Sequence, residues 1–235
     1  MTAPPASPRT IVFDLDGTLA DTGADLVAAA NACFAADGLG RPLDPLADRA
    51  TALRGGAAML RLGLERTRGG WTEEEVRALY DPLLAHYAEH IADETRLYDG
   101  AAETVRAMRA AGWRAAVCTN KPERLAEALL AALGVRDLFH AMIGADTLPQ
   151  RKPDPAPYRA AVERAGGRAA RSLLIGDTET DRETARAAGV PCVLATFGPE
   201  GAGIARLEPE GLFARFADLP AVAGRLVPEA AELVP

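Results

Sequence analysis

Thr10-Ile11-Val12-Phe13-Asp14-Leu15-Asp16-Gly17-Thr18-Leu19 is the stretch on which the fold turns. A run of β-branched and apolar residues, too short for a helix, stops at a carboxylate. It reads as a buried strand whose C-terminal end carries Asp14 and Asp16. Gly17 lets the chain turn tightly at once. The N–H groups of such a turn are placed to grip an anion. An Asp-rich turn after a strand is also an ordinary structural feature, so the string needs its context before it means chemistry.

On the C-terminal side of this strand the pattern first becomes helical. Segments 25–36, 45–53, 57–66 and 72–91 read as helices, with Thr72 and Glu75 forming a capping box for the last. No strand is expected between Asp21 and Arg96, which makes 21–96 an all-helical insert. Strands then alternate with helices. Strands are expected at 114–118, 141–143, 172–175 and 192–195, and helices at 101–111, 123–133, 155–165 and 181–188. That alternation implies an α/β fold, a parallel sheet covered on both faces. In such sheets ligands bind beyond the carboxyl ends of the strands. Asp14, Thr119 and Asp177 all stand at strand ends. Beyond Phe197 a Gly-rich loop and short helices are expected. Residues 1–9, rich in Pro and Ala, read as a flexible tail without the apolar run of a signal peptide.

Bulk properties narrow the partners. The 235 residues carry a formal net charge of -7, with 49% hydrophobic and 25% charged residues. A chain that held nucleic acid by its phosphates would be basic, so that partner is not expected. No stretch is long and apolar enough to cross a membrane. The cysteines, Cys33, Cys118 and Cys192, are sparse, odd in number and widely spaced, which suits reduced thiols and a cytoplasmic location. Of 26 basic residues only two are lysine, Lys121 and Lys152. A compact ammonium kept at two places in an arginine-rich chain suggests crowded, functional surroundings there.

Three further stretches join the first. In Cys118-Thr119-Asn120-Lys121 a hydroxyl and an amide at a strand end are donors for phosphate oxygens, or else a cap for the next helix. Lys152-Pro153-Asp154-Pro155 puts an ammonium before a helix start, where an anion is already favoured. Gly176-Asp177-Thr178-Glu179-Thr180-Asp181 delivers carboxylates suited to a hard cation, although Asp181 also suits a helix N-terminus without any metal.

With these four motifs in order, the sequence resembles the haloacid dehalogenase-like hydrolases over roughly 10–197, and within them the phosphoglycolate phosphatase branch. The stretches Thr119-Asn120-Lys121-Pro122 and Ala145 to Pro153 carry the narrower likeness. The resemblance implies a Rossmann-like three-layer core (10–20 and 97–235) with a small helical cap (21–96) inserted after the first strand. It implies that Asp14 attacks phosphorus and that Asp16 exchanges protons with the leaving alcohol and the hydrolytic water. Thr119 and Lys152 would hold the phosphoryl group, with Asn120 and Thr18 beside it. Mg2+ would be held by Asp14, Asp16 through its carbonyl, and Asp177, with Asp181 behind them. The joints of the cap would lie near 20–23 and 97–100.

The expected substrate is a small phosphorylated metabolite, 2-phosphoglycolate first, for a monomer or homodimer. Arg54, at a break between insert helices, is placed to fork onto a substrate carboxylate, and is equally readable as a surface arginine. Arg61, His86 and His90 are weaker candidates. Relatives acting on a sugar phosphate, nucleotide or pyrophosphate stay open. Phosphomutases of the β-phosphoglucomutase kind carry a histidine where this chain has Leu26, and phosphonate-cleaving relatives need an insert lysine, which is missing. Dehalogenases lack the second carboxylate, here Asp16. A non-catalytic binding module would be expected to have lost one of these residues, and none is lost.

Overall fold

The structure, a computed structural model, describes residues 7–198 and 200–229. In chain order the elements are β1 (Thr10–Phe13), β2 (Ala20–Asp21), α1 (Gly23–Ala36), α2 (Arg49–Ala52), α3 (Gly56–Arg68), α4 (Glu73–Glu89), β3 (Arg96–Leu97), α5 (Ala101–Ala110), β4 (Arg114–Cys118), α6 (Glu123–Ala132), β5 (Ala141–Ile143), α7 (Pro155–Arg164), β6 (Ser172–Gly176), α8 (Glu179–Ala188), β7 (Cys192–Ala195), β8 (Gly211–Phe213) and α9 (Leu219–Leu226).

Six parallel strands form one sheet in the order β5-β4-β1-β6-β7-β8. β1 is fully buried and central, so the alternation of its side chains feeds two layers. Ile11 and Phe13 enter an apolar cluster with Val105, Met108, Leu129 and Ala223, from α5, α6 and α9. Val12 enters another with Tyr158, Val162 and Ala185, from α7 and α8. The chain first runs from β1 to β4 and β5 on one side, then crosses to β6 and beyond on the other. The crevice between those two directions lies at the end of β1, at Asp14.

The helical insert has its own apolar cluster. Leu26, Phe34, Met59, Leu60, Leu64, Leu83 and Tyr87 are buried together, and the core lends it Leu125. The insert leaves and rejoins the core through β2 and β3, which pair antiparallel. Asp25 fastens this joint, accepting from Thr95 Oγ1 at 2.7 Å and from the backbone N–H groups of Glu94 and Thr95. The expected capping box at the head of α4 is present, Thr72 taking the Glu75 N–H and Glu75 taking the Thr72 N–H.

Two segments differ from expectation. Only Arg49–Ala52 of 45–53 is α-helical. Asp44 accepts from the Leu46 and Ala47 N–H groups, and Asp48 accepts from the Asp44 N–H while Arg66 clamps it. Short acidic side chains that satisfy nearby backbone compete with a helix. After Phe197 the chain adds β8, a three-residue edge strand with Leu212 partly exposed, too short to show alternation. Of the expected tail, residues 1–6 lie outside the described residues. No helix among the described residues is long and apolar enough to cross a membrane.

Candidate active site

The turn after β1 is wound tightly on itself. Leu15 O accepts from Leu19 N at 2.9 Å and Ala20 N at 3.1 Å, and Gly17 N donates to Ala20 O at 2.9 Å. Gly17 has φ +81°, and a Cβ there would overlap Asp177 Oδ2. Glycine is required twice over at this position, for the backbone and for the space. The turn aims Asp14 and Asp16 into a cavity of about 460 Å3. Core residues Thr119, Asn120, Lys121 and Lys152 line its floor, and insert residues including Leu26, Arg54, Tyr80 and Tyr87 face them.

Each carboxylate of the turn faces one of the two lysines. Lys152 Nζ lies 3.0 Å from Asp14 Oδ1 and 2.7 Å from Asp181 Oδ1. Lys121 Nζ lies 2.9 Å from Asp16 Oδ1. Both ammonium groups are buried, and burial by itself works against their charge. The facing carboxylates overcome it, and the net shift of each lysine is upward. Among the described residues Asp14 Oδ1 has no aligned hydrogen bond even so: Lys152 meets it as an ion pair.

Behind Asp14 the carboxylates crowd. Oxygens of Asp14, Asp177 and Asp181 lie within 4.8 Å of one another. Burial pushes Asp14 up to about 6, against the pull of Lys152 and with the help of Asp181 and Asp16. Burial, with Asp181 and Asp14 alongside, also pushes Asp177 well up. Asp177 Oδ2 is buried with no partner among the described residues. A set of hard oxygen donors, short of positive charge and with an orphaned oxygen, fits a divalent cation such as Mg2+.

The sequence candidates divide accordingly. Asp14, Asp16, Thr119, Asn120, Lys152 and Arg54 share the cavity. Asn120 also ties the Lys152 loop down, its Nδ2 donating to Lys152 O at 3.0 Å. Asp177 and Asp181 are buried beside Asp14. Asp181 has both oxygens engaged, Oδ1 by Lys152 and Oδ2 by Thr178 Oγ1 at 2.8 Å and the backbone at the head of α8. Thr18 corrects its expected substrate contact: fully buried, it donates from Oγ1 to Asp177 Oδ1 at 2.6 Å. Its hydroxyl orients a carboxylate instead. Arg61 pairs with Glu73 and stacks on Trp71, and His90 pairs with Asp93, all outside the cavity lining.

Three residues at the site carry no role in the sequence reading: Lys121 and Tyr87, which line the cavity, and Thr22, whose Oγ1 donates to Asp16 Oδ1 at 2.7 Å. The count of lysines was a signal for the first. Thr22 and Tyr87 had none, because their use depends on how the insert sits.

A family model for haloacid dehalogenase-like hydrolases matches residues 8–189, and the chain belongs to that family. Among curated proteins it is similar to a phosphoglycolate phosphatase of Agrobacterium fabrum, 40% identical over 98% of this chain and 99% of that protein. A phosphoglycolate phosphatase of Cereibacter sphaeroides is 39% identical over 92% of this chain and 98% of the other. Among solved structures, a predicted phosphoglycolate phosphatase from Haemophilus somnus 129PT superposes with TM-score 0.81 at 28% identity, covering 93% of this chain and 99% of that one. CbbY from Rhodobacter sphaeroides in complex with phosphate superposes with TM-score 0.72 at 26% identity, covering 90% and 96%.

Proposed function

We propose that this hydrolase is a cytoplasmic Mg2+-dependent phosphatase that cleaves 2-phosphoglycolate to glycolate and phosphate. The observation that carries the reading is the pairing at the cavity floor, Asp14 with Lys152 and Asp16 with Lys121. One pair suits attack on phosphorus and the other suits proton exchange.

In the first step an Asp14 oxygen bonds to phosphorus, the bond to the alcohol oxygen breaks, and Asp16 gives that oxygen its proton. In the second, water attacks phosphorus, Asp16 takes the water's proton, the aspartyl–phosphorus bond breaks and phosphate leaves. Lys152 and Thr119 neutralise and hold the phosphoryl oxygens. Asp14, the Asp16 carbonyl and Asp177 would hold Mg2+, with Asp181 tying Lys152 to the same corner. Bound there, the ion would supply charge neutralisation between two anions that otherwise repel. The insert, as a cap over the cavity, keeps bulk water out. Arg54 is the cation on the insert side that suits the glycolate carboxylate.

The names of the relatives support 2-phosphoglycolate, and this is where they bear on the chain. A second reading, a sugar bisphosphate, draws on a CbbY variant held with xylulose 1,5-bisphosphate, 26% identical with TM-score 0.71. Arg206 joins Arg54 in the lining, enough positive charge for a second phosphate, although Glu200 already pairs with it. A mutase is disfavoured because Leu26 lines the cavity, and its side chain carries no proton.

A panel of phosphorylated metabolites with Mg2+ tests the assignment. 2-Phosphoglycolate is expected to give the highest kcat/KM, and Asp14→Asn no turnover above about a thousandth of wild type. Xylulose 1,5-bisphosphate coming first would transfer the assignment to the second reading. Turnover surviving in Asp14→Asn would remove the nucleophile.

A further inference from the structure

We infer that Lys121 is the positioning residue of the Asp16 carboxylate, and that Tyr87 of the helical insert keeps it there. The inference rests on the phosphatase reading and deepens it at the same site. Lys121 Nζ lies 2.9 Å from Asp16 Oδ1, and Thr22 Oγ1 donates to the same oxygen at 2.7 Å. A hydrogen bond from Thr22 and the ion pair with Lys121, both on one oxygen, fix the plane of the carboxylate. They leave Oδ2 as the oxygen that exchanges a proton with the leaving group.

A buried ammonium needs partners. Beyond Asp16, Lys121 has the face of Tyr87, 4.3 Å from the ring centre. Tyr87 is 1% exposed and its hydroxyl makes no aligned hydrogen bond among the described residues, so the face of its ring carries the contact. Four separate parts of the chain meet here: the turn after β1, the joint at Thr22, the loop between β4 and α6, and α4. The contact spans the seam between core and insert. With α4 seated, Lys121 is dry and pinned on Asp16. With α4 withdrawn, the ammonium is hydrated and loses its reason to stay. The chain uses lysine here although arginine is its habitual cation, as a slim stem between a ring and a carboxylate requires.

Aryl phosphates of similar shape separate positioning from mere structure. The p-nitrophenolate group departs without help, whereas phenolate needs a proton from Asp16. In Lys121→Met, kcat/KM for phenyl phosphate is expected to fall about tenfold further than for p-nitrophenyl phosphate. Tyr87→Leu should show the same selective loss, smaller in size, and Tyr87→Phe should keep the wild-type ratio between the two substrates. Because Tyr87→Leu leaves the ion pair intact, it keeps the inference testable if Lys121→Met does not fold. Equal losses on both substrates, in either variant, would overturn the inference and leave the phosphatase reading untouched. A wild-type enzyme inert towards every phosphate monoester would bring down that reading first, and the inference with it.

Discussion

Asp14 is held in its pocket against its own charge. Burial raises its carboxyl from 3.8 to about 6. A carboxyl that grips its proton more tightly folded than unfolded stabilises the fold below its unfolded pKa. That contribution is lost as pH rises through the folded value. The metal-free protein at neutral pH therefore carries a penalty on the order of 3 kcal/mol at this residue. Asp14→Asn removes it, and Asp181 at 2.7 Å keeps Lys152 paired. In chelator at pH 7.5, Asp14→Asn should melt several degrees above wild type, and the gap should close towards pH 4. Thermal unfolding across that range decides it, and an equal Tm at pH 7.5 would count against the electrostatic account. Gly17→Ala forces an L residue to φ +81° and drives a methyl into Asp177. It should abolish most activity, read as kcat/KM, even in protein that folds. At this scale the meeting of Asp14, Asp16, Thr119 and Lys152 in one cavity was legible because the first three follow strand ends and the fourth is one of only two lysines. Thr18 was misread because the direction of its hydroxyl depends on Asp177, 159 residues away.

Helices and strands followed their local signals wherever those signals were consistent. The head of α4 is the clearest case, with Thr72 and Glu75 capping each other. Thr72→Ala should lower stability by about 1 kcal/mol in urea unfolding without altering KM, since the cap lies away from the cavity. In α3, Gly63 sits against the Phe34 ring of α1, and a Cβ there would overlap it. Alanine favours a helix by about 1 kcal/mol over glycine. The overlap should outweigh that gain, and Gly63→Ala is expected to destabilise by roughly 1–3 kcal/mol. A more stable variant would show that Phe34 yields freely. Segment 45–53 went wrong because its helical composition is opposed by Asp44 and Asp48, whose oxygens take the backbone N–H groups first. β8 was missed because three residues at an edge carry no period to read.

At the scale of the whole molecule, order along the sheet does what no single segment announces. β1 lies between β4 and β6, so Thr119, Asp14 and Asp177 end on neighbouring strands. The alternation of strands and helices made a parallel sheet legible, and strand-end residues made the rim that bears the cavity legible. The seating of the insert was not, because it depends on side chains such as Tyr87 meeting residues far off in sequence. The rim's surplus of negative charge also sets a global expectation. Mg2+ in the millimolar range should raise the Tm of wild type, by an amount that grows with concentration. Asp177→Asn should lose most of that response; an equal response in both would dissociate the carboxylate cluster from the ion.

The paired dipeptides β2 and β3 put both crossings of the chain between its two parts side by side. Such a gate makes the insert a cassette. Replacing 22–95 with a brief connector should leave the strands of the large sheet in their original register, and a foreign cassette spliced at the same two points would have to bring its own counterparts of Thr22 and Tyr87 to hold Asp16 and Lys121.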